Sequence, residues 1–394
     1  MKIYVISNYW HFPNEKSSSR YNSVIEMLAR ENTIELITST FYHTKKITRT
    51  SNYVNENYKI NLVNEPAYKK NVSLKRILAH VKFKSNVIKF LSKNDKPDLI
   101  YLFIPPTGLA KNIVRFAKKN HIKIVIDIQD LWPESFEMLL PKIIVKSVLL
   151  PMKRNAVYAY KKADGVVAVS QDFINAVAKY NINSPKLALY IGIDLPYFDF
   201  IRNKFKERNK INNRIKLVYI GMLGTSYDLI TVMRAINFLI NNKFDYIDFI
   251  IIGDGPEQFK FEQYAKKYSL PVCFLGRLDY ESMIKKLVNC DIAISPLTPT
   301  SKATIINKHA DYLAAGLPII NIQTNNEFNY LLDMYKAGFH CNPGDYVELA
   351  SILKMLTENY ELRRITSENS RKLAIEKFDR STTYLKLNKF IKGV

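Results

Sequence analysis

The residues from Ile305 to Pro318 run Ile305-Ile306-Asn307-Lys308-His309-Ala310-Asp311-Tyr312-Leu313-Ala314-Ala315-Gly316-Leu317-Pro318, which sets a lysine three positions before an aspartate. On a helix the two share one face near its amino end. A helix amino end offers unpaired N–H groups and the positive end of the dipole, so Asn307 and Lys308 there suit a diphosphate. The Asp311 carboxylate is of the type that accepts hydrogen bonds from a ribose diol. The plain alternative is a solvated i,i+3 charge pair. Two glycine-marked runs precede this one. Ile251-Ile252-Gly253-Asp254-Gly255-Pro256 ends a strand and opens a helix, so Gly253 and Gly255 let backbone approach backbone or ligand. Phe274-Leu275-Gly276-Arg277-Leu278 repeats the strand-then-glycine pattern.

A second group lies in the first half, in Asp127-Ile128-Gln129-Asp130-Leu131-Trp132-Pro133-Glu134. Gln129 can orient a sugar hydroxyl but cannot exchange a proton near neutral pH. Asp130 suits a hydrogen bond from an acceptor or sugar hydroxyl. Trp132 beside Pro133 reads more readily as a packing corner than as a sugar-stacking platform. In Asn14-Glu15-Lys16-Ser17-Ser18-Ser19-Arg20 the serines offer a helix cap and exposed N–H groups for a phosphate or an acceptor hydroxyl. Arg20 adds a charged fork; simple capping is the competing explanation for any one serine.

These residues need elements to hold them. Short apolar runs alternate with helical patterns from end to end, which implies parallel sheets covered by helices. Strands are expected at Lys2–Ser7, Thr33–Thr38, Leu99–Phe103, Lys123–Asp127 and Gly165–Ala168, with helices at Ser19–Arg30, Leu109–Lys119 and Asp172–Lys179. The basic stretch Arg202–Arg214 reads as a linker. Beyond it the alternation restarts, with strands at Lys216–Ile220, Asp248–Gly253, Val272–Leu275, Ile292–Ser295 and Pro318–Ile322, and helices at Asp228–Asn241, Tyr280–Asn289 and Asn307–Ala315. The expectation is α/β, two doubly wound Rossmann-like domains over 1–195 and 196–375, their strand ends facing a cleft, and a C-terminal helix over 376–394 packing back on the first.

Taken in order, the GDGP, FLGRL and NKxxDYLAAGLP runs, with LVYIGMLG opening the second domain, resemble the C-terminal half of the GT4 glycosyltransferases of GT-B architecture. With the DxxDLWPE run the chain is similar to the bacterial polysaccharide branch that includes the WbuB-like amino-sugar transferases. The resemblance implies donor binding by Asp311 at the ribose, Lys308 at the diphosphate, and Gly276, Arg277 and Leu278 at the base. The first glutamate of the family's EX7E motif falls on Ala303, and the usual Arg and Lys after the opening strand fall near Met222 and Tyr227. That shifts diphosphate binding toward Lys308, backbone N–H groups and the Gly224-Thr225-Ser226 loop. Many members carry a histidine where Gln129 stands; Gln129, Asp130 and Lys308 are the expected catalytic set. Ser17, Ser18, Ser19, Arg20 and Trp132 are expected at the acceptor. The resemblance also implies retaining transfer of a hexose or amino sugar from a nucleoside-diphosphate sugar, without a metal or other cofactor.

Fifty-eight Lys and Arg against 36 acids give a net charge of +22, a field that favours polyanions of any kind. Between Lys69 and Lys96, Lys69, Lys70, Lys75, Arg76, Lys82, Lys84, Lys89, Lys93 and Lys96 face one acid, Asp95, and interleave with Leu74, Ile77, Val81, Phe83, Val87, Ile88, Phe90 and Leu91. Leu139–Lys162 mixes basic and aliphatic residues with no acid. Such segments lie well on an anionic bilayer surface. Neither a secretory signal nor a 20-residue apolar span is read from the sequence, and Cys273, Cys290 and Cys341 lack metal or disulfide spacing. The expected setting is cytoplasmic, peripheral to the inner face of the plasma membrane, with a lipid-linked (polyprenyl-diphosphate) saccharide as acceptor in O-antigen, capsule or exopolysaccharide assembly. The rivals are a sugar-nucleotide epimerase on the same fold and a nucleic-acid-binding protein. The second lacks any recognisable nucleic-acid motif.

Overall fold

A computed structural model describes residues 1–12, 19–49, 53–71, 73–133, 142–206, 214–299, 305–323 and 327–394. The chain divides into two compact units, Met1–Tyr190 with Tyr384–Val394, and Ile191–Thr383.

The first unit carries β1 (Lys2–Ser7), β2 (Thr33–Ser39), β3 (Phe41–Tyr42), β4 (Ile47–Thr48), β5 (Lys59–Val63), β6 (Leu99–Ile104), β7 (Lys123–Ile128), β8 (Gly165–Ala168) and β9 (Lys186–Ala188). Among the described residues its main sheet has the order β5-β2-β1-β6-β7-β8-β9, parallel throughout, with β3 and β4 as a separate antiparallel pair. Every residue of β6 is buried, as a strand covered on both faces requires. Alternate residues feed two cores. Tyr4, Ile6, Ile100 and Leu102 meet Phe83, Val87 and Leu91 from helix Leu74–Lys93. Ile3, Val5, Tyr101 and Phe103 meet Val24, Ile25 and Leu28 from helix Arg20–Ala29 and Leu387 and Ile391 from the C-terminal helix Leu385–Lys392.

The second unit carries β10 (Ile215–Ile220), β11 (Ile247–Ile252), β12 (Val272–Phe274), β13 (Ile292–Pro296), β14 (Ile319–Ile322) and β15 (Gly338–His340) in the parallel order β12-β11-β10-β13-β14-β15. The strand order reverses at β1, between β2 and β6, and at β10, between β11 and β13. In sheets of this kind the loops at such carboxyl ends splay apart and leave room for a ligand.

The strands and helices expected from the sequence lie within two residues of those observed. The edge strands β5, β9 and β15 were not anticipated; they are short and of their residues only Val63 is buried, so they lack the long buried apolar run that marks a central strand. The linker expectation needs correction: helix Leu195–Phe205 runs into its first four residues, because Leu195, Phe198 and Ile201 form one buried stripe and Asp194 caps the start. Residues 207–213 of that stretch lie outside the described ones. Among the described residues no helix is long and apolar enough to cross a membrane.

Candidate functional site

In the second unit, helix Asn307–Ala315 starts beside the carboxyl ends of β10 and β13. Tyr312 fixes it there: its hydroxyl accepts the Ile220 N–H at 2.8 Å and donates to the Ile294 carbonyl at 3.2 Å, tying the helix to both strands. His309 lies flat on Phe328, ring centroids 3.6 Å apart, with Nε2 at 2.9 Å from Ser295 Oγ and Nδ1 taking the Ile306 N–H. Burial, and Lys308 beside it, hold that imidazole neutral. Ile306, at the cap position, has no side-chain acceptor to offer the first N–H groups of the helix; only its own N–H is met, by His309 Nδ1.

Lys308 is only 7% exposed, and its Nζ has no hydrogen-bond partner among the described residues. The ammonium sits 3.9 Å from the ring centroids of both Tyr219 and Tyr227. A Cβ placed on Gly221 would lie 2.8 Å from this Nζ, so the loop after β10 and the lysine meet at the strand-order reversal. Burial pulls the amine well below the ordinary lysine range. Two aromatic faces offset part of the desolvation, by roughly 1–2 kcal/mol each when dry, but only an anion supplies the missing counter-charge.

Asp311 is half-buried, and Tyr280 donates to its Oδ1 at 2.9 Å. Tyr280 stacks on Tyr197, which steadies the donor. Asn307 is exposed. The two glycines of the GDGP run serve the backbone: a Cβ on Gly253 would stand 1.8 Å from the Gly221 carbonyl oxygen, and one on Gly255 2.3 Å from that of Leu223. Their close side is therefore taken up in shaping the Gly221–Leu223 loop and is not open to a ligand. Gly276, at φ +66°, holds the Gly253 N–H and turns the chain, with Arg277 exposed and Leu278 partly covered. Gly224 is buried, Thr225 exposed and Ser226 half-buried, and the Ser226 carbonyl binds the Thr298 N–H, pinning the same loop to the end of β13.

In the first unit, Arg20 departs from expectation. It is 4% exposed and donates to Asp127 Oδ2 at 2.6 Å and to the Leu189 carbonyl, its guanidinium against Tyr384. Asp127 needs this: its carboxylate is fully buried between strands, and Tyr101 and Gln129 also donate to it at 2.6 Å each. The fork expected at the acceptor is thus consumed inside the unit. With its amide nitrogen held by Asp127, Gln129 is fixed in orientation. Asp130 accepts from Trp132 Nε1 at 3.1 Å, and Trp132, 9% exposed, has Arg76 over its ring, which fits the packing corner. Ser19 stands at the cap position of helix Arg20–Ala29 without a capping bond from its side chain. Ser17, Ser18 and Ala303 lie outside the described residues.

The sequence reading passed over a polar cluster at the carboxyl ends of β1, β2 and β5. Glu65 is 1% exposed; Asn8 donates to its Oε2 at 2.7 Å, while Oε1 has no hydrogen-bond partner among the described residues and lies 3.8 Å from His80 Nε2. Tyr9 Oη sits 3.3 Å from the same Nε2 and accepts from Arg76. Burial pushes the Glu65 carboxyl up to about 7, and burial with Arg76 and His43 nearby brings His80 down to about 3. The members come from separate loops and one helix turn, so no spacing announces them. Among the described residues no three His, Cys, Asp or Glu side chains come together as a metal set.

Residues 200–373 match the family model described as glycosyl transferases group 1. The uncharacterized glycosyltransferase MJ1069 of Methanocaldococcus jannaschii is 24% identical over 222 residues, 56% of this chain and 56% of its own length. Sulfoquinovosyl transferase SQD2 of Arabidopsis thaliana is 21% identical over 295 residues, 72% of this chain and 54% of its own. The chain therefore spans about half the length of these curated relatives. Among solved structures, Anabaena Alr3699/HepE in complex with UDP superposes over all of both chains with a TM-score of 0.72 at 16% identity. WaaG, a glycosyltransferase involved in lipopolysaccharide biosynthesis, does so with 0.67 at 15%. At these identities the likeness establishes the fold, two parallel-sheet Rossmann-like units of GT-B type.

Proposed function

We propose that this chain, whose residues 200–373 form a group 1 glycosyl transferase domain, transfers a sugar from a nucleoside-diphosphate donor to a hydroxyl of a lipid-linked saccharide. The observation that carries the reading is Lys308, a buried amino group with neither a hydrogen-bond partner nor an anion among the described residues, at the amino end of a helix where the strand order of the second unit reverses. Breaking a sugar–diphosphate bond builds negative charge on the departing phosphate. A preorganised ammonium and unpaired N–H groups stabilise that charge where it develops. Asp311, steadied by Tyr280, stands five residues after the cap position, and its carboxylate is of the type that binds a ribose diol. HepE is known in complex with UDP-glucose on a similar fold, which supports a nucleotide-sugar donor here.

The finer assignments rest on the sequence: retention of configuration, independence of metal, a hexose or amino sugar, and a place in surface polysaccharide assembly at the cytoplasmic face of a bacterial membrane. The acceptor's lipid is supported by helix Leu74–Lys93, which turns Leu74, Ile77, Leu78 and Val81 outward on one face, 47–78% exposed, among lysines. Lys308→Met should abolish turnover and weaken donor binding, and Asp311→Asn should weaken donor binding by at least tenfold, on the scale of one lost charge-assisted hydrogen bond. Titration calorimetry with the nucleotide sugar selected by a thermal-shift panel measures both. Wild-type donor affinity in the two variants rejects the placement.

A further inference from the structure

An ammonium carries three N–H donors and a neutral amine two. Lys308 Nζ lies 3.9 Å from the ring centroids of both Tyr219 and Tyr227 and has no hydrogen-bond acceptor among the described residues. Two ring faces suit two N–H groups. The third N–H of an ammonium finds no taker, and ring faces alone recover less than the burial of a bare charge costs. Building on the donor reading of this site, we propose that Lys308 stands as a neutral amine in the free chain and becomes an ammonium when the donor's diphosphate arrives, so that donor binding takes up one proton.

The surroundings bring the amine no counter-charge. From β10 comes Tyr219, whose hydroxyl donates to the Met222 carbonyl, and from the loop after it Tyr227; burial holds both phenols neutral. On the same helix His309 is neutral as well, and Asp311 accepts from Tyr280 of helix Tyr280–Leu287. Helix Tyr360–Leu373 sends Arg371 to the Ala314 carbonyl at the far end, where Asp199 of helix Leu195–Phe205 pairs with it. Glu376, in the following turn Ala374–Phe378, accepts from Tyr335. Burial is what acts on Lys308, and it favours the uncharged form. A diphosphate at the amino end of the helix supplies the missing charge. Both phosphates of a nucleotide sugar are diesters, fully ionised far below neutral pH, so the donor brings no proton of its own. The proton passes from solvent to the Nζ lone pair, and no other bond changes. Donor affinity is then level with pH while the free amine is protonated, and falls by about tenfold per pH unit once that amine is neutral.

Titration calorimetry on the full-length chain measures the uptake directly. The probe is the nucleotide sugar that gives the largest thermal shift in a panel including UDP-glucose. Buffers of different ionisation enthalpy are compared from about pH 7 to 9, where an ordinary lysine is charged. At the upper end of that range the wild-type chain should take up close to one proton per donor, with affinity falling by about tenfold per unit. Donor binding without uptake anywhere in the range overturns the inference and leaves the transferase reading standing. Lys308→Arg stays charged when free and should bind without uptake; Lys308→Met should bind more weakly, also without uptake. Undiminished uptake in either variant overturns the assignment to Lys308. Carbon NMR of isotope-labelled lysine needs no substitution. One Cε resonance should titrate well below the ordinary 10.5 in the free chain and move to its charged position when donor is added; ordinary titration of every lysine overturns the proposal. Failure of the wild-type chain to bind any nucleotide sugar rejects the proposed function and this inference together.

Discussion

Lys308 and Glu65 share a condition that folded chains rarely keep: each is a buried ionisable side chain with a polar atom left without a partner among the described residues. Each such atom costs on the order of 1–3 kcal/mol or more, and such costs persist where a ligand or a proton completes the site. For Glu65 the cost is measurable. Its folded-state carboxyl is raised from 4.5 to about 7, so between those values the folded chain binds the proton more tightly than the unfolded one. Its contribution is complete below pH 4.5 and is lost as pH rises to about 7. Glu65→Gln should therefore stabilise the first unit above pH 7, by about 3 kcal/mol at most, with the difference shrinking toward pH 4–5. His80 acts in the opposite sense, gaining stability as pH rises from about 3 to 6.5, so the variant should become more stable with rising pH where the wild type stays flatter. Melting temperatures of both proteins across this range are the measurement; parallel curves refute the shift.

At the scale of elements, the proposed donor site depends on how firmly helix Asn307–Ala315 is held against β10 and β13, and Tyr312 is the tether. Tyr312→Phe keeps the ring's packing but leaves the Ile220 N–H and the Ile294 carbonyl without their partner. A loss of about 1–3 kcal/mol is expected, read as a lower melting temperature of the second unit, together with weaker donor binding because Lys308 rides on the same turn. Unchanged stability would show that the tether carries no load. This helix was legible in the sequence to the residue, since Gly316 ends it in the left-handed region and its apolar positions repeat with helical period. The central strands were legible for the same kind of reason, an uninterrupted apolar run. Lys308 and Asp311 shared one short motif, so they could be found together. Arg20 could not be placed, because its partner Asp127 is 107 residues away and nothing local marks it as an inward-facing charge. Glu65, His80 and Asn8 escaped for that reason as well: each sits on a different segment, and only the parallel order β5-β2-β1 brings the segments side by side.

Charge acts at the scale of the whole molecule. A net +22 on 394 residues attracts any anionic surface from a distance, but a distant field does not orient the protein. Orientation needs a local feature, and helix Leu74–Lys93 supplies one. Positions 74, 77, 78 and 81 lie outward on one stripe, while Ala79, Phe83, Val87 and Leu91 face the core, so the same helix packs inward and leaves an apolar edge among basic residues. The same helix also carries Arg76 and His80, which line the polar cluster at the carboxyl ends of β1, β2 and β5. Each exposed aliphatic side chain offers on the order of 1 kcal/mol on burial in the interface, and each lysine near an anionic surface contributes about as much. The full-length chain should therefore sediment with vesicles of phosphatidylcholine and phosphatidylglycerol, whose anionic surface attracts basic segments. It should be released near 1 M salt, where the screening length falls to about 3 Å. Changing Leu74, Ile77, Leu78 and Val81 together to serine should weaken partitioning by more than about tenfold with the melting temperature intact, because none of the four belongs to the core. Equal binding to purely neutral vesicles, or undiminished binding of the serine variant, would leave the stripe without this role.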